Sequence, residues 1–392
     1  MLHRLLDESF DSEIRRNITI VTFARLVANA AYRFAPLFLA TIARGFDVSL
    51  STLGVAIFAS ELTGFCSPLA GRIVDRLTHR NSMMLGLAGS ALGCTIAALS
   101  TTPILFAVGV TVLALTKQSF DLGLGAWIAD FVPYKQRGKI VGLTETAWAL
   151  GLLVGVSLMG LITEVFQWRV GFAFAVLCLI ISMIAIYGRV TNAPRIKHES
   201  HTSTPQRVTG KSWYVVAAMF CIMCSAQNLF VTFGAWLEDE FGFGAAQLAV
   251  AGFSIGLVEL VASVGSSRLT DGWGKERSIA FGALLIIPAG ILLSVASGNF
   301  ALGIIAVFVY FLGFEFSVVS LLPLATTLVP NSPGTGLGWV LGAGTLGRAV
   351  MAIVATQLFE RFGVGGPALM GAFFGLLGAV VITAHKKTVV VR

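Results

Sequence analysis

Nine ionisable residues lie deep inside apolar stretches of this chain, and their side chains are the groups best suited to chemistry there. They comprise four cations and five carboxylates: Arg25, Arg33, Lys117, Arg348, Asp121, Glu61, Glu145, Glu259 and Glu315. A charge near the centre of a bilayer costs about 2.5–3.5 kcal/mol on insertion scales, so it is retained where it faces protein or water. The nearly balanced set predicts ion pairs that exchange partners, with one surplus carboxylate able to take up a proton.

Lys117 and Asp121 are four positions apart and therefore share one face of a helix. They either neutralise each other, or Asp121 takes up a proton or contacts a substrate at one stage. Glu315 lies near the centre of its apolar stretch. We expect at least one acid to carry a coupling proton. The leading candidates are Asp121 and Glu315. The full set of predicted proton-coupling and ion-pair residues is Asp121, Glu315, Glu145, Lys117, Glu61 and Glu259.

Other polar residues predict the lining of a cavity. Gln227 and Asn228 stand beside aromatic residues, and uncharged donors of this kind suit an amphipathic or polyhydroxyl substrate. The alternative is an anionic substrate held by cationic side chains. A stripe of one helix face runs through residues 25, 29, 32, 33 and 36. The predicted cavity residues are Arg33, Asn29, Tyr32, Trp148, Gln227, Asn228 and Arg348.

The elements that position these residues are predicted to be membrane-spanning helices. The chain has 392 residues, of which 56% are hydrophobic and only 12% charged, whereas a soluble domain has about 25% charged residues. A spanning helix needs about 20 apolar residues, and barrel strands would instead alternate over about ten. We predict twelve spans, near residues 17–42, 49–70, 82–100, 103–131, 138–162, 168–190, 213–236, 246–268, 277–296, 300–328, 336–360 and 364–385.

The nine interior charges avoid every third span, namely spans 3, 6, 9 and 12. This distribution predicts that those four helices face lipid and that the other eight surround a hydrated cavity. Of the 27 Lys and Arg residues, only Arg44, Arg169 and Arg361 fall in segments assigned to the outside. The positive-inside rule therefore places both termini in the cytoplasm, and the net charge of +7 reflects topology rather than nucleic-acid binding.

Several other classes of function have no support in the sequence. None of the five histidines lies within the interior of a predicted span, since His385 is the last residue of the twelfth span, and no phosphate-binding loop follows a strand. His198 and His201 belong to a solvated loop rather than a metal site, which needs more convergent ligands. Cys221 and Cys224 are expected to pack as small apolar residues. We therefore expect no enzyme activity, no metal and no cofactor, with an ion gradient as the energy source.

The chain divides into two similar halves. The polar residues 190–212 predict a cytoplasmic linker between an N-terminal six-helix bundle, 1–189, and a C-terminal one, 213–392. Similar segments ending in Asp75 and Asp271 follow spans 2 and 8. Parallel repeats of this kind place a binding site near the membrane midplane between the halves.

Three segments resemble landmarks of one known family. The run from Gly71 to Arg80 (GRIVDRLTHR) resembles the signature loop of the major facilitator superfamily between helices 2 and 3. The run from Ile128 to Gly138 resembles its helix 4–5 connection, and residues 167–169 (QWR) its entry into helix 6. The resemblance implies an all-α membrane protein with twelve transmembrane helices in two pseudo-symmetric six-helix halves. It also implies a small-molecule substrate, alternating access and a monomer.

The same resemblance implies roles for two groups of residues. The loop residues would latch the cytoplasmic side while the cavity opens outward; the alternative is that their charge sets topology alone. They are Gly71, Asp75, Arg76 and Arg80. A set of helix 5 glycines resembles the signature of proton-driven antiporters; the alternative is tight helix packing alone. These are Gly142, Gly151, Gly155 and Gly160, with Val156 and Met159 where that signature has proline and glycine.

The expected function is therefore proton-coupled export of a small or amphipathic organic compound across the cell membrane. In this respect the chain resembles bacterial drug-efflux and sugar-efflux members of the family. The alternative is uptake of an organic anion or sugar-like solute by proton symport or anion exchange. A membrane-embedded enzyme or sensor would instead require product turnover without net flux.

Overall fold

The described chain is almost entirely α-helical. The computed structural model describes residues 10–66, 76–132, 137–192, 210–325, 327–329 and 333–390, and these ranges contain no strand. The first helices are α1 (Ser12–Leu37), α2 (Leu39–Phe46), α3 (Leu50–Leu62), α4 (His79–Ala98), α5 (Pro103–Phe131), α6 (Arg137–Leu150), α7 (Ser157–Val165) and α8 (Trp168–Arg189). The later helices are α9 (Ser212–Phe230), α10 (Phe233–Phe241), α11 (Ala245–Trp273), α12 (Lys275–Val295), α13 (Phe300–Ala325), α14 (Pro333–Phe362) and α15 (Gly365–Val390).

These helices account for the predicted spans. Ten helical segments of the described chain are long and apolar enough to cross a membrane, and α1 with α2 forms a broken eleventh. The predicted span 49–70 corresponds to α3 and the 3-10 turn Thr63–Cys66 that follows it; its residues 67–70 lie outside the described ranges. The prediction of an all-α membrane protein is confirmed.

The helix ends follow local chemistry. The Asp11 carboxylate accepts a hydrogen bond from the Glu13 backbone N–H at 2.7 Å and caps α1. Thr78 caps α4 in the same way, and Thr102 caps α5 immediately before Pro103. Gly242, with φ of 65°, ends α10 in the left-handed conformation that glycine tolerates best.

The chain folds as two compact units. Unit 1 contains Met1–Phe38, Thr63–Ser200 and Gly244–Gly256, and unit 2 contains Leu39–Leu62, His201–Phe243 and Leu257–Arg392. Thus α2 and α3 pack with unit 2, and the first turns of α11 pack with unit 1. The division into six-helix bundles at 1–189 and 213–392 stays a prediction, and linker residues 193–209 lie outside the described ranges.

Close helix packing fixes the elements that carry interior charge. In unit 1, a Cβ added to Gly86 of α4 would lie 2.6 Å from the Phe120 Cβ of α5. In unit 2, a Cβ added to Gly282 of α12 would lie 2.5 Å from the Gly313 carbonyl oxygen of α13. Small residues let helix backbones approach in this way. Tight packing therefore holds α5, which carries Lys117, and α13, which carries Glu315, against their neighbouring helices.

Candidate functional site

In unit 1, the polar stripe of α1 lies within the protein. Asn29 and Arg33 are buried, and the side chain of Arg25 is only 13% exposed. Tyr32, one turn from Asn29, is half-buried, and Pro36 precedes the end of the helix at Leu37. The stripe therefore faces neighbouring helices rather than the surface.

Asp121 is held between two cations. The Lys117 Nζ lies 2.6 Å from its Oδ2, and the Arg25 Nε lies 3.3 Å from its Oδ1. The Lys117 side chain is 10% exposed and that of Asp121 is 29% exposed. The pairing of residues 117 and 121 is thus present, with Arg25 as an added partner from α1. Charge-assisted hydrogen bonds to both carboxylate oxygens stabilise this arrangement.

The Trp148 ring lies close to two interior cations of unit 1. The Arg33 guanidinium lies 4.7 Å from the centroid of the Trp148 ring, and its Nη1 donates to the Trp148 carbonyl at 3.2 Å. The Lys117 Nζ lies 5.7 Å from the same ring and 5.6 Å from the ring of Tyr32. These are cation–π distances, so Tyr32 and Trp148 orient two cations on one side of α5 and α6.

Asn29 combines deep burial with an amide that is available for binding. Its side chain is fully buried, and neither amide atom has a hydrogen-bond partner in the described part of the chain. A Cβ added to Gly151 would lie 3.0 Å from the Asn29 Cβ. A buried amide without a partner is costly, so Asn29 is a good candidate for binding a polar group of a solute.

Glycines of the predicted fifth span, which corresponds to α6, a π-helical turn and α7, pack against the α1 segment around a local distortion. Residues Gly151–Val156 form a π-helical turn between α6 and α7, at the position where the antiporter signature has a proline. Turns of this kind are frequent at functional sites. A Cβ on Gly155 would collide with Ala30, and a Cβ on Gly160 would lie 2.7 Å from the Phe38 ring. The helix is therefore irregular here without a proline.

Two predicted residues of this helix cannot be placed further. The side chain of Glu145 and the surroundings of Gly142 lie outside the described part of the structure, although both positions belong to α6.

In unit 2, Glu61 and Arg348 form an ion pair between α3 and α14. The Glu61 Oε2 lies 2.8 Å from the Arg348 Nη2, and the Glu61 side chain is 5% exposed. The two helices are in close contact here, because a Cβ added to Gly54 would lie 3.0 Å from the Ala352 carbonyl oxygen. A buried pair of this kind is costly to break from one side.

Glu315 has a different environment. It is 7% exposed, and the Ser263 hydroxyl of α11 donates to its Oε1 at 2.7 Å. Glu259, one turn before Ser263 on α11, is fully buried. Further along the same helices, the Ser320 hydroxyl lies 2.8 Å from those of Ser266 and Thr270. The structure thus places Glu315 against α11, one helical turn along that helix from the predicted acid Glu259.

The amides of span 7 lie just before a helix break. Gln227 and Asn228 are buried near the end of α9, and the chain leaves the helix at Val231 and Thr232. The Asn228 Nδ2 donates to the Cys224 carbonyl at 2.8 Å. The Gln227 Nε2 and the Asn228 Oδ1 have no hydrogen-bond partner in the described chain. The amides therefore retain binding capacity.

An aromatic cluster of unit 2 surrounds this break. The Phe230 ring lies 4.9 Å from the ring of Phe311 and 5.5 Å from the ring of Phe314, and Phe233 lies 6.2 Å from Phe311. Phe314 precedes Glu315 on α13. An apolar surface and amide groups therefore occur together, as is typical of small-molecule sites.

The predicted gate motif is described only in part. Gly71 and Asp75 lie outside the described residues, and Arg76 is exposed. The Arg80 guanidinium stacks on the Tyr187 ring at 4.7 Å and donates to the Tyr187 carbonyl at 3.4 Å. Among the described residues, its partner is therefore an aromatic residue of α8.

Some contacts of functional interest were missed by sequence reasoning. The His79 Nε2 lies 2.8 Å from the Asp130 Oδ2, and the histidine is buried. Both residues belong to segments already singled out for family resemblance, which was the available signal. Ser263 had no such signal, because a lone serine in a spanning helix is common.

Unit 2 also carries a polar cavity away from the interior charges. Arg44 forms ion pairs with Glu238 and Asp239, and the Ser51 backbone N–H donates to the Glu360 Oε1 at 2.7 Å. The cavity has a volume of about 680 Å³, and Arg44, Asp239 and Glu360 contribute to its lining. It connects the start of α3 with the ends of α10 and α14.

The sequence matches a known family over most of its length. Residues 19–352 match the family model described as Major Facilitator Superfamily. The chain is 26% identical over 355 residues to the uncharacterized MFS-type transporter YwfA of Bacillus subtilis (strain 168), covering 87% of this chain and 84% of that protein. It is 25% identical over 345 residues to Multidrug resistance protein 1 of the same organism, covering 82% and 84%.

Solved structures agree with this match. A bacterial homologue of the human lysosomal transporter Spinster, in an inward-facing and unoccupied conformation, has a TM-score of 0.75 at 13% identity and 96% coverage of both chains. The human organic anion transporter TETRAN has a TM-score of 0.71 at 19% identity, covering 95% of this chain and 100% of that one. At these identities the likeness establishes the fold, and the predicted major facilitator fold is confirmed. Members of the Major Facilitator Superfamily are membrane transporters rather than enzymes. On the match over residues 19–352, this chain belongs to the Major Facilitator Superfamily.

Proposed function

We propose that this transporter exports a small or amphipathic organic compound across the cell membrane in exchange for protons, by alternating access. It works as a monomer with both termini in the cytoplasm, and it uses the proton gradient rather than a cofactor as its energy source. The observation that carries the proposal is Glu315, an acid that is buried on a spanning helix and accepts a hydrogen bond from the Ser263 hydroxyl of a second helix.

The interior acids differ in the contacts that a proton would disturb. Protonation of Asp121 would weaken its contacts with Lys117 and Arg25, and protonation of Glu61 would weaken its contact with Arg348. Glu315 accepts a hydrogen bond from the Ser263 hydroxyl, a group that can bond a carboxyl group in either protonation state. Glu315 is therefore our candidate for the acid that carries the coupling proton.

The substrate class is supported by aromatic surface and by amides. The rings of Phe230, Phe311 and Phe314 cluster at the end of α9, within one turn in sequence of Gln227 and Asn228, and this combination fits an amphipathic compound. Two similar proteins are named multidrug resistance proteins, which favours export of such compounds.

A second candidate function is uptake of an organic anion by proton symport or anion exchange. It is favoured by Arg33 and Lys117, which both lie at cation–π distance from the Trp148 ring. An aromatic carboxylate would meet cations and an aromatic face together there. The solved structure of TETRAN is that of an organic anion transporter, which supports the same alternative.

Transport assays in proteoliposomes distinguish export from uptake. The purified full chain is reconstituted, a proton gradient is imposed, and the flux of ethidium, a lipophilic cation, is compared with that of salicylate, an aromatic anion. Export predicts ethidium movement opposite to the protons. Salicylate movement with the protons would replace export by symport. Flux of both probes that ignores the gradient would contradict proton coupling.

Variants identify the acid that carries the coupling proton. Glu315→Gln is expected to lose gradient-driven flux while substrate exchange without a gradient remains. The matched control is Glu360→Gln, which changes a carboxylate at the far end of α14 and should keep gradient-driven flux. Gradient-driven flux at the wild-type rate in Glu315→Gln would remove Glu315 from the coupling role.

A further inference from the structure

The start of α4 and the end of α8 meet at one end of unit 1. The Arg80 guanidinium lies 4.7 Å from the centroid of the Tyr187 ring, and its Nη1 donates to the Tyr187 carbonyl at 3.4 Å. Thr78, which caps the start of α4, donates to the side-chain oxygen of Asn192, just after the end of α8. The two helices therefore run antiparallel and are joined here by polar contacts.

The first turn of α1 is held at the same place. The Glu13 carboxylate accepts hydrogen bonds from the Thr191 backbone N–H at 2.8 Å and from the Thr191 hydroxyl at 2.7 Å. The Arg16 Nη2 lies 2.9 Å from the Glu13 Oε2. These contacts bring Arg15 and Arg16 of α1 to the end of α8.

Arginines outnumber carboxylates at this end of unit 1. In the described part of the chain, one of these arginines is in an ion pair, that of Arg16 with Glu13. The other described acids here are Asp11, whose carboxylate caps α1, and Asp130, which lies against the buried His79. We refer to the arginines as the basic end of unit 1, which consists of Arg15, Arg16, Arg76, Arg80 and Arg189.

Two of these arginines keep unused hydrogen-bond donors. A guanidinium has five N–H groups, and Arg80 uses one of them in a hydrogen bond within the described chain. Its Nε is buried without a hydrogen-bond partner there, and the same is true of the Arg15 Nε. Buried donors of this kind are costly to leave unsatisfied. Because a planar guanidinium matches the oxygens of a phosphate group, these donors favour a phosphate-bearing ligand.

The helices next to the basic end expose apolar side chains. Ile184 and Tyr187 of α8 are 68% and 63% exposed, and Leu85 and Leu92 of α4 are exposed as well. A Cβ added to Gly188 would meet nothing within 4 Å, so the surface beside the Tyr187 ring is open. Tyrosine is enriched where a spanning helix leaves the hydrocarbon of the bilayer. Acyl chains can therefore pack along both helices while their headgroup reaches the arginines.

We propose that the basic end of unit 1 binds an anionic phospholipid of the cytoplasmic leaflet. The phosphate lies at Arg80 and Arg189 beside the Tyr187 ring, and the acyl chains lie along α4 and α8. Unpaired cations, open surface and exposed apolar helix faces occur together here, and anionic headgroups are attracted to basic residues at the cytoplasmic ends of spanning helices. The inference goes beyond the proposed function and uses the proposed topology only to name the leaflet.

The alternative is that these arginines only set the topology of the chain. Cytoplasmic segments carry excess arginine and lysine for that reason alone. In that case any attraction of anionic lipid depends on the total charge of the protein, and removal of an arginine elsewhere has the same effect as removal of Arg80. The two possibilities therefore differ in a quantity that can be measured without a transport substrate.

Melting temperature in a neutral detergent measures this binding. The purified full chain is titrated with phosphatidylglycerol, which is anionic, with phosphatidylcholine, which has a phosphate but no net charge, and with inorganic phosphate. A ligand that binds only the folded state raises the melting temperature as its concentration increases. Phosphatidylglycerol should give a saturating rise, and the other two probes should give little. The concentration at half-saturation reports the affinity.

Matched variants locate the site. Arg80→Gln and Arg189→Gln should each raise the half-saturating concentration of phosphatidylglycerol about fivefold, the contribution of one arginine near an anionic surface. Arg361→Gln is the control, because it removes the same charge from an exposed residue at the end of α14 in unit 2 and should bind like the wild type. Tyr187→Leu should also weaken binding, whereas Tyr187→Phe keeps the ring beneath Arg80 and should restore it.

Cross-linking provides a second measurement on the wild type. Phosphatidylglycerol with a photoreactive diazirine in its acyl chain should label peptides of α4 and α8, and peptide mapping locates the adducts. The melting temperature of each variant without lipid is compared with that of the wild type, so loss of binding is not mistaken for misfolding. If a variant fails to fold, the labelled positions still test the site.

Several outcomes would overturn the lipid site. They are equal effects of phosphatidylglycerol and phosphatidylcholine, an equal effect of inorganic phosphate, and wild-type affinity in both Arg80→Gln and Arg189→Gln. A loss in Arg361→Gln as large as that in Arg80→Gln would show that total charge alone attracts the lipid. Labels confined to other helices would also contradict the proposal. Because no measurement here involves transport, failure of the lipid site leaves the proposed function standing, and failure of proton-coupled export leaves the lipid site standing.

Discussion

At the scale of single residues, the interior acids are distinguished by what touches them. Asp121 contacts two cations, and Glu61 contacts the guanidinium of Arg348. Glu315 receives its hydrogen bond from a serine hydroxyl. All of these acids cost free energy in a spanning helix, and a carboxylate held by cations is costly to separate from them. These contacts are the basis on which we propose Glu315, rather than Asp121 or Glu61, for coupling.

The role of Asp121 can be tested by removing its charge. Asp121→Asn leaves Lys117 and Arg25 facing each other without a carboxylate, and hydrogen bonds to charged groups contribute about 1.5–3 kcal/mol each. Because the Asp121 side chain is 29% exposed, we expect a loss of about 1–3 kcal/mol in the free energy of unfolding. Denaturant unfolding in detergent measures it. The double variant Asp121→Asn, Lys117→Gln should recover part of the loss.

The opposite result would identify Asp121 as the coupling acid. In that case Asp121→Asn would unfold like the wild type and would lose gradient-driven flux in proteoliposomes. Glu315→Gln would then keep that flux.

The sequence predicted some of these contacts and not others. The pairing of Lys117 with Asp121 follows from a spacing of four residues on one helix. Arg25 and Ser263 lie on other helices than their partners, and the contact depends on how two helices are rotated against each other. No spacing rule within one segment determines that rotation, so these partners required coordinates.

At the scale of helices, irregular segments occur next to the predicted cavity residues. The π-helical turn at Gly151–Val156 adjoins Asn29, and the break after Phe230 adjoins Gln227 and Asn228. From the sequence, the glycines of the predicted fifth span indicated that this span packs closely against another helix. The π-helical turn itself was not predictable, because the segment contains no proline that would mark a distortion.

The packing of the predicted fifth span (α6, the π-helical turn and α7) on α1 is tested by adding one methyl group. Gly155→Ala places a Cβ against Ala30, where there is no room. Overpacking costs about 1–3 kcal/mol, so we expect a lower melting temperature and slower flux. The control is Gly125→Ala in α5, where an added Cβ would meet nothing within 4 Å. Equal melting temperatures for the two variants would show that this contact does not limit stability.

At the scale of the whole molecule, composition and the lengths of the apolar segments were enough to predict a helical membrane protein. Helical spans are long and apolar, so their signal is strong in any sequence. The compact units were harder to predict, because α2, α3 and the first turns of α11 do not pack with the segments that are nearest to them in sequence. Local sequence contains no information about such exchanges between halves.

The interior charge is a property of the whole molecule, and the Glu61–Arg348 pair allows it to be tested. Arg348→Gln removes one cation and leaves Glu61 buried beside it; breaking a buried pair from one side costs about 3–5 kcal/mol. The double variant Glu61→Gln, Arg348→Gln removes one charge of each sign and leaves the interior sum unchanged. It should therefore be clearly more stable than Arg348→Gln, with gradient-driven flux retained. Melting temperature and flux in proteoliposomes are the measurements.

The same pair of variants also decides whether Arg348 belongs to the substrate cavity, as the sequence predicts. If the guanidinium binds substrate, the double variant will regain stability but will still fail to transport, because a neutral amide cannot replace the lost cation. If the pair only balances charge within the helices, stability and transport will return together. If the double variant is no more stable than Arg348→Gln, then Arg348 does not compensate the Glu61 charge. That result would contradict both possibilities, substrate binding by Arg348 and charge balance within the helices.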